Sequence, residues 1–226
     1  MPQTARSSED SDTTPHRLPA HELIYRQLRN LVLFGDLAPG QAVTIQGLTD
    51  RLEAGMTPVR EAIRRLISEG ALEFQGNRRV SVPVLTADNI SELILARQWL
   101  DPHLTLRATE RASLDDLDVL TALDEDLDNA ISAGDLRAYL ELNYRFHQHI
   151  YTIADAPILA DLADGLWLRF GPSLRVVCGR MGTQSLPDKH KAMLEAMHAR
   201  DAETAARAIR EDVIQGMEQV RHALQL

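Results

Sequence analysis

Asn143 and His147 stand four residues apart in the run "ELNYRFHQHIY", a spacing that puts an amide and an imidazole on one face of a helix. His190 follows, and Asp212 comes 22 positions after it. By spacing alone these four are open to two readings: donors for a metal, or a metal-free pocket whose groups hydrogen-bond to one another. A second chemically capable set lies in the first half of the chain. Arg60, Arg64, Arg65, Arg78 and Arg79 crowd into residues 55–82 beside a regular apolar stripe. Such arginines read either as a solvated helix face or as a footprint for phosphates, each neutralised phosphate releasing counterions.

The elements that carry the arginines are legible. Leu23, Tyr25, Leu28, Leu31 and Val32 fall near helical spacing, and Gly35 stops that helix. "DLAPGQAV" reads as loop, turning at Pro39 and Gly40, and a short helix spans residues 45–52. Thr57 is the expected N-cap of a third helix with Pro58 in its first turn, and Val59, Ile63, Leu66 and Ile67 give it one buried stripe. Gly70 ends it. "ALEF" and "RVSV" then read as two strands joined at "QGNR". Three helices and a hairpin with a charged tip make a winged helix-turn-helix over residues 17–84, behind a Ser-, Thr- and Asp-rich tail at 1–16.

Composition separates this unit from the rest. Residues 17–84 hold nine Arg against seven acidic residues, whereas residues 85–226 hold 14 basic against 23 acidic residues within a chain of net charge -9. The two parts are expected to do different work. From Thr86 the pattern is helical almost throughout, broken near residues 112, 133, 155, 185 and 200, with Ser113 and Asp135 as N-caps. About six helices result, an all-helical bundle, so the fold class is mainly α. No apolar run approaches the roughly 20 residues of a membrane span, and the N-terminus lacks a signal peptide's apolar region, so the cytoplasm is expected. Cys178 is the only cysteine, which excludes an internal disulfide and suits a core position.

The run "LTDRLEAGMTPVREAIRRLISEGAL" resembles the helix-turn-helix of the GntR family of bacterial transcription regulators, over about residues 20–82. The resemblance implies a recognition helix in the major groove, a wing near the minor groove, and a homodimer reading a short palindrome on double-stranded DNA. It assigns Arg60, with Arg64 beside it, to the DNA face, Thr57 to a phosphate and Gly76 to the close approach of a wing tipped by Arg78 and Arg79. Gln46 and Met56 stand where many members have arginine. Glutamine can pair with adenine, and methionine packs against a thymine methyl or stays silent.

The later half is similar to the FCD ligand-sensing domain of the FadR subfamily. There an acidic or amide residue and a histidine at i, i+4 join two more histidines around a divalent metal. Asn143, His147 and His190 match three of those positions, and Asp212 stands at the fourth, where histidine is usual. The set keeps one negative charge, moved across the site, which implies a surviving site for zinc, nickel or manganese, against a degenerate metal-free pocket. Arg97 matches an arginine of the domain's first helix: a clamp for a carboxylate effector, or one partner of a salt bridge to Glu92, Asp101 or another acid. Arg169 and Arg175 are weaker candidates. Trp99 and Trp167 are expected in the core, His103 to cap or pack, and His149, His198 and His222 to lie outside the site. The function implied is a ligand-responsive DNA-binding regulator, a repressor before an activator, sensing a small carboxylate metabolite. A helical-bundle metalloenzyme and an effector-independent dimeric DNA-binding protein are the rival readings; the first has no residue placed as a general base and leaves the winged domain unexplained.

Overall fold

Ile24, Tyr25, Leu28, Val32 and Leu33 recur at helical spacing and make α1 (Ala20–Leu33) amphipathic; its buried face meets that of α3 (Met56–Ser68), formed by Val59, Ala62, Ile63 and Leu66. The computed structural model describes residues 19–75, 79–181 and 189–224. Ile24 takes the inward position expected of Leu23, which is 47% exposed. Between them α2 (Ile45–Leu52) has the expected bounds, capped by Thr44, whose hydroxyl accepts from the Gly47 N–H at 3.0 Å.

Two expectations in this part are corrected. Helix α3 starts earlier, at Met56, with Gly55 rather than Thr57 as N-cap, and no side chain hydrogen-bonds to its first amides. Pro58 is therefore the third helical residue, still within the first turn, where an N–H has no acceptor inside the helix. The loop after α1 also contains a strand, β1 (Ala42–Val43), too short to show alternation. It pairs antiparallel with β3 (Arg79–Ser81), which pairs in turn with β2 (Glu73–Gln75), so Val80 of the central strand faces both Val43 and Phe74. Gly76 and Arg78 lie outside the described residues.

The second part is the expected bundle, with α4 (Ala87–Arg111), α5 (Leu114–Ala133), α6 (Leu136–Ala154), α7 (Pro157–Met181), α8 (Lys189–His198) and α9 (Ala202–Leu224). Local chemistry sets the breaks. Thr86 with Asn89 and Ser113 with Asp116 form capping boxes at the starts of α4 and α5, and the Asp135 carboxylate accepts from the Ala138 N–H at the start of α6. Gly134, at φ +67°, takes the left-handed turn that closes α5. Helix α4 packs against α6, α7 and α9, which leaves one outward strip; Trp99 lies on it, 65% exposed, rather than in the expected core. His103, also on α4, turns its Nδ1 to the Trp99 carbonyl at 2.6 Å. No helix among the described residues is long and apolar enough to cross a membrane.

The winged unit is seated on the bundle through α1 and α7. Their backbones come so close at Gly171 that a Cβ there would stand 2.2 Å from the Leu33 carbonyl oxygen. Around this contact Arg175 donates to the Phe34 carbonyl at 3.4 Å and Arg137 bridges Asp36 and Glu141. Gly171→Ala is expected to force α1 away from α7 and cost about 1–3 kcal/mol, as overpacking does. Chemical denaturation reads this directly, and an unaltered midpoint would mean that the two helices separate without cost.

Candidate functional site

Four helices of the bundle aim polar groups at one cavity of about 200 Å³. Helix α6 supplies Asn143 and His147 from adjacent turns, α8 supplies His190, α9 supplies Asp212 and α4 supplies Arg97. His147, His190 and Asp212 each offer a donor atom within 4.8 Å of the others, the two imidazoles buried and the carboxylate half-buried. His147 Nε2 is 3.5 Å from Asp212 Oδ2 and His190 Nε2 is 3.8 Å from Asp212 Oδ1, just beyond hydrogen-bond length. Asn143 lines the same cavity. The four residues singled out from the sequence thus share one space, although helices α8 and α9 lie far from α6 in the chain.

Each imidazole has a carboxyl group behind it. His190 Nδ1 lies 3.2 Å from Asp124 Oδ1, and His147 Nδ1 lies 3.6 Å from Asp101 Oδ1. For His190, a proton on Nδ1 held by Asp124 leaves Nε2 as the nitrogen that faces Asp212, the tautomer a metal ligand needs; His147 Nδ1 makes no hydrogen bond among the described residues, and Asp101 stands beside it as a charge. Sequence reasoning did not assign these backing residues to the site. Asp101 carried a signal, one helical turn beyond Arg97; Asp124 sits in the acid-rich run "DEDLDN", and its signal was a place on the leucine stripe, four after Leu120 and three before Leu127.

Arg97 is 4% exposed and forms the salt bridge that was one of its two readings. Its Nη2 and Nε donate to Asp101 at 3.1 and 3.3 Å, and the guanidinium lies 4.7 Å from the ring centres of both Trp167 and Phe170. Its Nη1 makes no hydrogen bond among the described residues. Asp101 also accepts from the Tyr151 hydroxyl at 2.5 Å, and that hydroxyl accepts from the Trp167 indole N–H at 3.1 Å. Burial would raise the Asp101 carboxyl, but Arg97 and His147 outweigh it and hold it well below the usual range. The same contest, with His147, His190 and Arg97 on the winning side, lowers the Asp212 carboxyl. Three carboxyl groups thus meet two imidazoles and one guanidinium, an excess of negative charge that protonated imidazoles or a bound cation would offset.

Leu127, Ile131, Leu174 and Met217 give the cavity an apolar wall that includes the Cys178 thiol, and Asp128, Lys189, Gln215 and Gln219 also line it. Burial pushes that thiol up to about 11. The other candidates lie elsewhere. Arg169 packs its guanidinium against Gly70 and Arg175 bonds to α1, so both belong to the seam between the two parts. His149 faces Asp116 at 3.8 Å, while His198 and His222 are exposed.

On the winged unit, the arginines of α3 divide. Arg60 and Arg64 are exposed and make no ion pair among the described residues. Arg65 pairs with Glu69 at the end of its own helix at 3.0 Å and turns back to α1, where it meets Glu22 at 3.0 Å and stacks 3.4 Å over the Tyr25 ring. Burial and the Glu69 carboxylate push the Tyr25 hydroxyl up to about 12. Met56, Thr57 and Arg79 are exposed, and Gln46 is exposed with its amide donating to Asp50 at 2.8 Å.

Comparison with known proteins matches both halves. Residues 20–82 match the profile of bacterial regulatory proteins of the gntR family, and residues 92–214 match the FCD domain. The HTH-type transcriptional regulator McbR of Escherichia coli is 29% identical over 183 residues, covering 80% of this chain and 83% of its own. The HTH-type transcriptional repressor RspR of the same organism is 25% identical over 214 residues, covering 92% and 91%. The solved structure of E. coli McbR/YncC superposes with a TM-score of 0.85 at 26% identity, covering 91% of this chain and 99% of that one.

Asp101→Asn strands a buried guanidinium, and at neutral pH it is expected to cost about 3–5 kcal/mol of stability. Because the folded-state carboxyl is depressed, its contribution is present above the unfolded value near 4 and fades as pH falls through the lower folded one. Unfolding curves of parent and variant should therefore converge on acidification below about pH 4. A gap that stays constant from neutral to acid would rule out the ionised pair.

Proposed function

The chain belongs to the GntR family of bacterial regulatory proteins and is a DNA-binding transcriptional regulator with an FCD domain, not an enzyme; we propose that it is a dimeric repressor whose bundle senses a small carboxylate metabolite. The observation that carries this reading is the cavity, where three helices gather metal-ligating side chains, a fourth adds Arg97, and apolar side chains form part of the wall. A bundle that served only to dimerise would have no need of buried carboxyl groups behind two histidines.

The DNA face in this reading is the outer side of α3. Arg60 and Arg64 reach the major groove, and the exposed, uncapped start of the helix at Met56 and Thr57 meets a phosphate with its free amides. Arg79, with Arg78 and Gly76, belongs to the wing. Gln46 and Met56 take weaker parts, since the amide is tied to Asp50 and the thioether has no charge. One winged helix covers a half-site, so two copies read a palindrome.

In the cavity, His147 and His190 through Nε2, Asp212 through a carboxylate oxygen and Asn143 through its amide oxygen are the residues to hold zinc, nickel or manganese. The ion would supply a fixed positive pole for an effector carboxylate. Arg97 takes part through the end of its fork, the Nη1 hydrogens and the second Nη2 hydrogen, because Nε–H and one Nη2–H already serve Asp101. The apolar wall receives the rest of the molecule. Effector and operator then share one coupling free energy, each altering the other's affinity by the same factor.

Two measurements test this. From a randomised library the full-length protein should select a two-fold symmetric duplex with salt-sensitive affinity; Arg60→Ala should weaken that binding at least ten-fold, whereas Arg65→Ala should chiefly lower thermal stability. A consensus without symmetry, or an indifferent Arg60→Ala, defeats the assigned interface. For the cavity, protein purified without chelator or histidine tag should contain near-stoichiometric divalent metal by elemental analysis, and His147→Ala should lose it. Absence of metal even after soaking retires the metal and leaves the hydrogen-bonded pocket.

A further inference from the structure

We propose that Trp167 is the partition through which occupancy of the cavity is felt by the DNA-binding half, and that Tyr144, Asp164 and Arg29 carry its displacement to α1; this rests on the cavity being an effector site. The indole borders the cavity directly. Its centre is 5.0 Å from the His147 ring and 4.7 Å from the Arg97 guanidinium. The same indole meets Tyr144 edge-on at 5.6 Å. Beyond it lies a small void of about 10 Å³, bounded by Leu33 and Phe34 at the end of α1 and by Tyr144, Trp167 and Leu174. Trp167 and Leu174 line both spaces, so the wall between cavity and winged unit is one side chain thick.

On the far side of that wall sits a polar latch across the seam. The Tyr144 hydroxyl donates to Asp164 Oδ1 at 2.6 Å, where the Gln148 amide also donates at 3.1 Å. Arg29 of α1 donates from Nη2 to Asp164 Oδ2 at 2.6 Å, with its side chain only 13% exposed. Helix α1 is joined to the recognition helix by the Arg65 stack on Tyr25 and by the Tyr25 hydroxyl, which donates to Glu69. Named side-chain pairs therefore run from the cavity to Arg29 and from Tyr25 to α3, and α1, which carries both residues one turn apart, joins the two runs.

A half-buried ion pair across such a seam adds little to stability, because desolvation offsets the attraction. It does fix geometry. Asp164 accepts from both the cavity side, through Tyr144, and the DNA side, through Arg29, so a tilt of Tyr144 changes what Arg29 can reach. Packed aromatic contacts shift between discrete arrangements rather than yielding smoothly, and the void beside Trp167 gives slack where a shift would be taken up. Tyr144 and His147 lie one turn apart on α6, so a load on the histidine also bears on the tyrosine.

A double-mutant cycle on duplex affinity decides the matter without knowledge of the effector. The probe is the duplex selected in vitro by the parent protein, and the four proteins are the parent, Trp167→Leu, Arg29→Gln and the double variant, all full length. Trp167→Leu is expected to shift the dissociation constant roughly five-fold or more in the parent, and to do little where Arg29→Gln has opened the latch. Additive effects, or no effect of Trp167→Leu on the parent, overturn the relay. Should Trp167→Leu fail to fold by circular dichroism, Trp167→Phe takes its place in the same cycle. Zinc ion alone gives a second arm: calorimetry should find equal Zn²⁺ affinity in parent and Arg29→Gln, with duplex affinity responding to Zn²⁺ only in the parent. Equal responses in both overturn the relay. Failure of Zn²⁺ to bind the parent counts against the metal reading instead, and the cycle still decides the relay.

Discussion

Asp101 has no contact with solvent, and a carboxylate in that position persists only if donors saturate it. Arg97, one turn earlier on the same helix, provides two; Tyr151 on α6 provides a third, and His147 stands nearby. Because Tyr151 also receives the indole N–H of Trp167, the demand of one buried charge fixes an arginine, a tyrosine and a tryptophan from three helices. These are the side chains that shape the polar end of the cavity. The helical bundle is thus organised less by its apolar core, which many sequences would fill, than by a charge whose partners have little freedom to move.

The DNA-binding half faces the opposite electrostatic problem. A chain of net charge -9 is repelled by a phosphate backbone at long range, so attraction must come from a small surface where positive groups are not already matched. The structure meets this by sorting neighbours on one helix. Arg65 is neutralised by two carboxylates of its own domain and serves packing, while Arg60 and Arg64 remain without ion-pair partners among the described residues.

Much of this was legible in the residues. The stripe of α3, the bounds of α2 and the caps at Ser113 and Asp135 follow from side-chain chemistry acting within a few positions, and the structure has them where expected. What the sequence hid were decisions made across the fold. Thr57 looked like a cap, yet Gly55 in extended backbone starts the helix, because Pro58 is tolerated anywhere in the first turn. Strand β1 exists only because β3 is there to pair with it. Trp99 resembles a core residue by type, and only the packing of three helices on the other faces of α4 leaves it outside. In the cavity the four cavity-lining residues could be named from the chain, whereas Asp124 could not, since its place behind His190 depends on how α5 and α8 approach.

Cys178 closes off one mode of response. Its sulfur is shut into the apolar wall and kept as the neutral thiol, while oxidants and alkylating agents attack the thiolate. With no other cysteine in the chain, thiol oxidation and disulfide exchange have no foothold. A single cysteine introduced on the outer surface would be the one place where a thiol-directed spectroscopic label attaches.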